Sequence, residues 1–343
     1  MIEYGICAPD AVSWWIPLAV LFGTFGAAYV LVGVVLELLR YRRILDHPTP
    51  RGSHTVSTPR GGGWGIVLTI VPAWLALSIP GGNLSRMVPI ILALLLLAGV
   101  SWVDDRRGLN PAARLVAQGA AVAAGLTVVP ENAMIFQGWL PMFWDRMFTG
   151  LAWLWFINLF NFMDGIDGLA GSEATMVGIG WIMIAAMADM DPIYAMQATA
   201  IIGAAAGFLI WNWRPAKVFM GDVGSVPLGF ALGWMLIILA AEGGQFWAAL
   251  ILPLVFLADA SITLVRRFLC GKPLWKAHNE HFYQRAVQRG REHDQVVRMV
   301  IAANVLLLAA AVAAVYVGWP MMLVAVAIVA VLFWNFSTVQ TSP

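Results

Sequence analysis

The chain has 343 residues, of which 61% are hydrophobic and only 11% are charged. Soluble domains carry about 25% charged residues, so this composition excludes an ordinary soluble protein. The formal net charge of +1 excludes neither a lipid phosphate nor a nucleotide as a ligand. Two cysteines, Cys7 and Cys270, are too few to predict a disulfide framework.

Apolar runs of about 20 residues recur along the chain, and each is long enough to cross a bilayer as an α-helix. A β-barrel would instead show alternating stretches of about ten residues. We therefore predict an all-α fold, a polytopic transmembrane helical bundle that forms one integral membrane domain over 1–343. The seventeen Trp residues are typical of membrane interfaces. About eleven spans are predicted, at 13–39, 63–80, 87–103, 112–130, 147–163, 173–189, 192–212, 225–241, 245–265, 297–317 and 319–337.

The basic residues are distributed unequally between the two ends of this bundle. Eleven crossings place alternate loops on one side, and those loops hold every Lys and Arg except Arg86 and Arg146. Because basic residues concentrate on the cytoplasmic side of a membrane, we predict that this side is cytoplasmic, with the N-terminus outside and the C-terminus inside. The predicted cytoplasmic loops lie near 40–62, 104–114, 164–172, 213–224 and 266–298.

The same side collects a run of polar residues at spacings of three, Asn158, Asn161, Asp164 and Asp167. In a helix these side chains would share a slowly drifting face. Gly165 and the glycine after Asp167 are expected to end the helix and leave the last two carboxylates in a turn. Hard oxygen ligands of this kind suit Mg²⁺. The alternative is a helix end capped by Asn and Asp.

Three further carboxylates stand on this side. Asp104 and Asp105 end the third span, where they would repel each other unless one is protonated or a cation is near. That pair suits proton abstraction or metal recruitment, and the alternative is a solvated helix end paired with Arg106 and Arg107. Asp222 precedes the predicted start of a helix, whose free N–H groups favour phosphate.

Two more patterns carry positive charge or imidazole. His278 and His281 are spaced i, i+3, with Arg285 one turn further, so a helix would place them on one face. No third soft ligand lies near for zinc, which favours phosphate contact over zinc, with a plain surface helix as the alternative. Arg60 precedes three glycines that could let a backbone approach an anion, or simply begin a helix.

Taken in order from about 45 to 290, these motifs resemble the polyprenyl-phosphate N-acetylhexosamine-1-phosphate transferase family. The resemblance rests on Thr58-Pro-Arg-Gly-Gly62, on Asp104-Asp105 with Arg114, on 158–169, on Phe219-Met-Gly-Asp-Val-Gly-Ser225 and on the loop with His278 and His281. It implies an enzyme of the bacterial cytoplasmic membrane whose active site faces the cytoplasm.

The resemblance also implies residue roles. Asp222 matches the Mg²⁺ ligand, with Asn161 as an accessory ligand and Mn²⁺ as an alternative ion. Asp104 and Asp105 match the pair that activates or holds the lipid phosphate, and Asp167 matches a position for uracil recognition. Asp164, His278, His281 and Arg285 would line the diphosphate site, with Arg60 and Arg114 as supporting cations and Asn158 as a substrate contact.

The implied reaction uses a UDP-N-acetylhexosamine and undecaprenyl phosphate within membrane lipid, releases UMP, and involves no nucleic acid. Direct attack by the lipid phosphate and a covalent aspartyl-phosphate are both compatible with the motifs, and so is a homodimer. The last loop reads His278-Asn-Glu-His281 rather than the three consecutive His of the peptidoglycan enzyme. This favours an O-antigen-initiating enzyme that transfers GlcNAc or a 6-deoxy-HexNAc such as FucNAc or QuiNAc, with phospho-MurNAc-pentapeptide transfer as the alternative.

Three other classes of protein fit less well. A secondary transporter would place polar residues at the bilayer midplane between repeated halves, whereas this chain has them at one side and shows no repeat. An intramembrane aspartyl protease would need a glycine two residues before Gly221, where Phe219 stands. The Asp-Gly, Ala-Arg, Gly, Asp, Asp order of CDP-alcohol phosphotransferases is absent.

Overall fold

The computed structural model describes residues 15–46, 57–80, 82–273 and 278–338. Cys7, Arg51 and Lys276, the start of the first predicted span and parts of the loops 40–62 and 266–298 lie outside these residues. The described elements are α1 (Trp15–Tyr41), β1 (Leu45–Asp46), β2 (Thr58–Pro59), α2 (Gly63–Ser78), α3 (Leu84–Arg107), α4 (Pro111–Leu126), α5 (Met142–Met163), α6 (Leu169–Met187), α7 (Pro192–Asn212), α8 (Asp222–Ala241), α9 (Phe246–Ile251), α10 (Leu254–Leu269), α11 (Phe282–Gln288), α12 (His293–Val317) and α13 (Pro320–Ser337).

Each predicted span contains a helix, and the two short strands form a single antiparallel pair. The all-α membrane fold is therefore confirmed. The ninth span, 245–265, is divided into α9 and α10, because Pro253 between them has no N–H to continue the helical ladder. Among the described residues, seven helices are long and apolar enough to cross a membrane. The number of spans and the side of each terminus stay predictions.

Helix α8 forms the centre of the bundle. Its residues from 223 to 240 are all buried, and α2, α3, α5 and α6 pack around it. Glycines permit this close packing, because a Cβ on Gly229 would lie 3.0 Å from the side chain of Phe160. Small residues at helix contacts are the usual solution inside membranes, where apolar burial alone does not hold helices together.

Some Trp residues serve this centre rather than the membrane interface. Trp153 and Trp181 are fully buried. The Trp153 indole donates to the carbonyl oxygen of Phe230 at 3.0 Å, and that of Trp181 donates to Met235 at 2.7 Å. These bonds tie α5 and α6 to α8 by satisfying a polar group that burial would otherwise penalise. The prediction that Trp marks interfaces is wrong for these two residues.

Helices α3 and α8 run antiparallel, which gives the bundle two distinct ends. At one end, Asp105 near the end of α3 meets Asp222 at the start of α8. At the other, Arg86 near the start of α3 bonds to Glu242 just after α8. At 1.5 Å per residue the two clusters are separated by about 30 Å. We call them the site end and the far end.

Candidate active site

A cleft of about 450 Å³ opens at the site end. Helices α3, α4, α5 and α8 and the loop before α11 contribute to its wall. The structure therefore brings together residues separated by more than 170 positions in the sequence. The predicted site residues that line the cleft are Asp104, Arg114, Asn158, Asn161, Asp222, His278 and His281.

Arg60 joins two of the predicted carboxylates at the base of this site. Its Nη2 lies 2.9 Å from Asp105 Oδ1 and 2.7 Å from Asp222 Oδ1. These charges raise the pKa of Arg60 above its usual range, although burial acts in the opposite direction. Arg60 is therefore a fixed positive charge that holds α3 and α8 together.

The glycines beside Arg60 bring two backbones into contact. The N–H groups of Gly61 and Gly62 both donate to the carbonyl oxygen of Phe219, at 3.1 and 2.9 Å. A Cβ on Gly63 would collide with the backbone of Gly224. The glycines were predicted to let the backbone approach an anion, but in this structure they let it approach the 219–224 segment. This contact fixes Arg60 relative to Asp222.

Asp104 and Asp105 are adjacent, but they face different partners. Asp105 accepts hydrogen bonds from the N–H groups of Asp222 at 3.2 Å and Val223 at 3.0 Å. The expectation that the first N–H groups of α8 are free for phosphate is therefore wrong, because the Asp105 carboxylate already caps them. Its side chain is only 3% exposed, so it positions α8 rather than facing substrate.

Asp104 faces the cleft. Its Oδ2 lies 2.9 Å from Arg114 Nη1, and its Oδ1 accepts the N–H of Leu109 at 2.6 Å. Arg106 instead lies over the Trp102 ring, 5.6 Å from its centroid. Each of the two adjacent carboxylates thus lies beside a cation, Arg60 for Asp105 and Arg114 for Asp104. The alternative, a helix end paired with Arg106 and Arg107, is not what the structure shows.

The Asn/Asp run follows the predicted local structure. Helix α5 ends at Met163, and Gly168, with φ of 80°, is the N-cap at which the turn enters α6. Asn161 donates to Asp222 Oδ2 at 3.5 Å and accepts from Ser225 at 2.5 Å. Asn158 donates to Gln118 at 2.7 Å.

Asp164 and Asp167 lie in the turn, as predicted, and have different surroundings. Burial raises the pKa of Asp164 well above its usual range, opposed by Arg60 and reinforced by Asp222. Asp167 lies 3.4 Å from His293 Nδ1 and accepts the N–H of Ala216 at 3.2 Å. Although burial opposes it, these contacts lower the pKa of Asp167. Neither residue lines the cleft.

The histidine loop differs from its prediction. Helix α11 begins only at Phe282, with His281 as its N-cap and His278 outside it. The prediction that His278 and His281 share a helical face is therefore wrong, yet their two rings stack with centroids 4.9 Å apart. Burial and the charges of His281 and Arg267 lower the pKa of His278 to about 4. Arg285 lies in α11 near Arg266 and outside the cleft wall.

The last helix packs against α11, which follows this loop. The rings of Phe282 and Phe333 stack with centroids 4.2 Å apart. Arg289 donates to the carbonyl oxygen of Phe336 at 3.0 Å, and Arg291 donates to that of Asn335 at 2.8 Å. Cations at a helix C-terminus also interact favourably with the helix dipole. These three contacts join α13 to α11 and to the turn that follows α11. We call them the latch.

Several residues of the site were not predicted from the sequence. Asp259 of α10 is 1% exposed and lies 3.0 Å from His281 Nδ1. Gln118 and Gln284 line the cleft, and Ser225 holds the Asn161 amide. Asp259 had a usable signal, because it is an ionisable residue within an apolar span. The neutral residues had none.

Asp222 and Asn161 are the residues that could hold a metal at the cleft. Asp222 offers carboxylate oxygens, and its side chain is 16% exposed. Asn161 now turns its amide nitrogen to Asp222 and its oxygen to Ser225, so metal binding through the amide oxygen requires the amide to rotate. Within the described ranges, no group of three His, Cys, Asp or Glu side chains is placed to hold a metal ion.

The fold and site define an integral membrane protein with a polar, charged cleft at one end of its helices. The glycosyl transferase family 4 model matches residues 87–240. A phospho-N-acetylmuramoyl-pentapeptide-transferase of Chlamydia pneumoniae is 32% identical over 260 residues, which cover 66% of this chain and 73% of that protein.

Two further relatives are similar over more of the chain. A probable undecaprenyl-phosphate N-acetylglucosaminyl 1-phosphate transferase of Bacillus subtilis is 25% identical, covering 75% of this chain and 73% of the relative. A decaprenyl-phosphate N-acetylglucosaminephosphotransferase of Mycobacterium tuberculosis is 28% identical, covering 79% and 76%. The chain belongs to glycosyl transferase family 4, and it is an enzyme, a glycosyl-1-phosphate transferase.

Proposed function

We propose that this enzyme transfers an N-acetylhexosamine-1-phosphate from a UDP-sugar to undecaprenyl phosphate and releases UMP. The observation that carries the proposal is the site-end cleft, where Asp104, Asp222, Arg114, His278 and His281 meet. Phosphoryl transfer needs mainly alignment and neutralisation of charge. A cleft with carboxylates, a guanidinium and two imidazoles offers both.

The acceptor is supported by the membrane setting and by the relatives. Two of them are named for a polyprenyl phosphate and N-acetylglucosamine. A polyprenyl chain dissolves in the bilayer, so its phosphate meets an enzyme at the membrane surface, where a cleft at one end of a helical bundle can receive it. The predicted charge asymmetry supports the cytoplasmic face of the bacterial inner membrane.

We propose Mg²⁺ as the cofactor, held by Asp222 with Asn161 as the accessory ligand. The fit rests on the donor set, because a carboxylate and an amide oxygen are hard ligands and Mg²⁺ uses few protein groups, completing its shell with phosphate oxygens and water. When bound, the ion neutralises diphosphate charge and orients the phosphates. Arg60, paired with Asp222 in this structure, stabilises the carboxylate that the ion would share.

The remaining residues align the reactants. An oxygen of the lipid phosphate attacks the β-phosphorus of the UDP-sugar, a new P–O bond forms, and the bond to the bridging oxygen breaks as UMP leaves. A phosphate monoester is already mostly ionised near pH 7. Asp104 therefore orients the acceptor through Arg114 rather than deprotonating it, while His278 and His281 face the diphosphate.

The choice of sugar is supported by the loop with His278 and His281. Its pattern supports GlcNAc or a 6-deoxy-HexNAc such as FucNAc or QuiNAc, and with it the initiation of O-antigen or a related surface polysaccharide. The second candidate is transfer of phospho-MurNAc-pentapeptide, favoured by the 32% identity to the Chlamydia pneumoniae enzyme.

A panel of UDP-sugars tests the proposal directly. Purified enzyme in detergent or nanodiscs receives undecaprenyl phosphate, Mg²⁺ and one donor at a time, and UMP release is measured. We expect release with a UDP-HexNAc that depends on both the lipid phosphate and Mg²⁺. Release with UDP-MurNAc-pentapeptide alone would select the second candidate, and no release with any donor would refute both.

A further inference from the structure

A buried carboxylate outside the cleft wall contacts one of the histidines that line it. Asp259 of α10 is 1% exposed, and its Oδ1 lies 3.0 Å from His281 Nδ1. His281 lines the cleft with Asp222 and is itself 3% exposed. We propose that Asp259 is a positioning residue that fixes the tautomer and orientation of His281 for the transfer reaction.

The remaining contacts of Asp259 hold it in one place. Its Oδ1 also accepts the N–H of Phe282 at 3.0 Å, and its Oδ2 accepts the N–H of Tyr283 at 3.1 Å. Thr263, one turn further along α10, donates to Oδ1 at 3.3 Å. Because both oxygens receive donors, the carboxylate cannot rotate without breaking several hydrogen bonds, and the imidazole that meets it is oriented in turn.

The geometry assigns the two ring nitrogens of His281. A carboxylate that accepts backbone N–H groups presents only lone pairs, so Nδ1 must carry a hydrogen to bond it. The hydrogen bond made by one nitrogen sets what the other can do. Nε2 is therefore the nitrogen left for a ligand in the cleft.

A carboxylate behind the ring also suits the ligand. When the ring takes up a second proton from water, Nε2–H donates to a phosphate oxygen, and Asp259 lies close enough to balance the positive charge of the ring. The stacked His278 ring limits tilting of His281 from the other side. This role rests on the proposed function, because the phosphate is the ligand that such a ring would meet.

Capping α11 does not by itself require a carboxylate. A neutral Asn side chain also serves at the N-terminus of a helix. In Asp259→Asn, however, one face of the side chain becomes an NH₂ group. If that group meets Nδ1, the ring must accept there and carry its hydrogen on Nε2 instead. The variant therefore keeps the size of the side chain and removes the negative charge that meets the ring.

The first experiment reads the tautomer without measuring activity. The protein has five His residues, and it is labelled with ¹⁵N-histidine for NMR. The His281 signals are assigned by their loss in His281→Ala. We expect a hydrogen on Nδ1 of His281 in the unchanged protein. A bare Nδ1 with its hydrogen on Nε2 would overturn the proposal without any variant at position 259.

The second experiment measures UMP release. We expect Asp259→Asn to lower kcat by about 10- to 100-fold, the loss typical when a partner that orients a histidine is removed, with KM for the UDP-sugar changed by less than about threefold. If Asp259 acts through His281, the double variant with His281→Ala should be no slower than His281→Ala alone. Independent, multiplying losses would overturn the proposal.

Asp145→Asn is the matched control. Asp145 is another fully buried carboxylate that accepts two backbone N–H groups, from Ile135 at 3.2 Å and Phe136 at 2.8 Å. It caps the loop before α5 and touches no predicted site residue. We expect Asp145→Asn to lower Tm and leave kcat within about twofold.

The outcomes separate this proposal from the proposed function. If Asp259→Asn and Asp145→Asn lose the same amount of kcat and the same amount of Tm, Asp259 has only the structural role of a cap. If the unchanged enzyme releases no UMP from any donor, the proposed function fails. The NMR result then still decides whether Asp259 sets the His281 tautomer.

Discussion

The two ends of the bundle contain similar groups in different settings. At the far end, Arg86 lies 3.0 Å from Glu242, and Tyr194 donates to the same carboxylate at 2.9 Å. At the site end, Arg60 lies at similar distances from Asp105 and Asp222. The far-end groups satisfy one another, whereas Asp222 also borders the cleft. An ion pair thus indicates a functional site only where it leaves an acceptor facing a cavity.

The difference between the two ends is tested most directly by removing one carboxylate from each. We expect Asp222→Ala to lower UMP release by about 10³-fold, the upper range for loss of one electrostatic group in an active site. The protein should remain folded because Asp105 still pairs with Arg60. Normal Mg²⁺-dependent turnover in this variant, measured beside Glu242→Ala, would refute the metal assignment.

The adjacent carboxylates Asp104 and Asp105 provide a second test. Asp104→Asn should lower kcat by about 10²-fold with little change in Tm, because this side chain faces the cleft. Asp105→Asn should lower the free energy of unfolding by about 1–3 kcal/mol, because it caps α8. Thermal unfolding and UMP release measured together distinguish the two, and identical profiles would contradict the division of roles.

The backbone contact at the site end gives a third prediction. Gly63→Ala should destabilise the protein by about 1–3 kcal/mol, because its Cβ would meet Gly224, and it should displace Arg60. Gly99→Ala in α3 is the control, since nothing lies within 4 Å of a Cβ there. Equal Tm values for the two variants would show that this contact is dispensable.

A smaller effect is expected at the far end. Glu242→Gln weakens its ion pair with Arg86 but keeps an acceptor for Tyr194, so Tm should fall by only a few degrees, consistent with about 1 kcal/mol for a partly exposed pair. UMP release should stay within about twofold of the unchanged enzyme. A large kinetic loss would mean that the far end acts on the cleft.

The smallest predicted effect concerns pH. The pKa of His278 is lowered from 6.5 to about 4, so the folded state binds fewer protons than the unfolded state between these values. Stability is then present above pH 6.5 and is lost as pH falls toward 4. His278→Gln should show a weaker loss of Tm between pH 7 and pH 5. An identical pH dependence would mean that the partial burial of His278 does not lower its pKa.

The sequence predicted the fold well because the predicted spans are local apolar runs, and two of the helices also have local side-chain caps. Asn110 and Asp191, for example, cap α4 and α7 through N–H groups only two residues away, beside a proline at the first helical position. The break at Pro253 was missed, because apolar residues continue on both sides of it and hydropathy alone does not register it.

The site was predicted as a set of residues but not as a set of contacts. Asp104, Asn161 and Asp222 reach one cleft, but the partner of Asp105 lies 117 positions away in the sequence. Neutral residues such as Gln118 carry no signal until the helices pack. Pairing across such distances is decided by tertiary packing, which local spacing cannot reveal.

The latch also has a consequence for the order in which the enzyme is made. Phe333 and the carbonyl oxygens of Asn335 and Phe336 belong to α13, which follows every residue of the cleft in the chain. A ribosome therefore finishes all the reactive groups before it makes the support for the histidine loop. Activity should therefore begin only when α13 has packed against α11, so an unfinished chain that lacks α13 should be inactive.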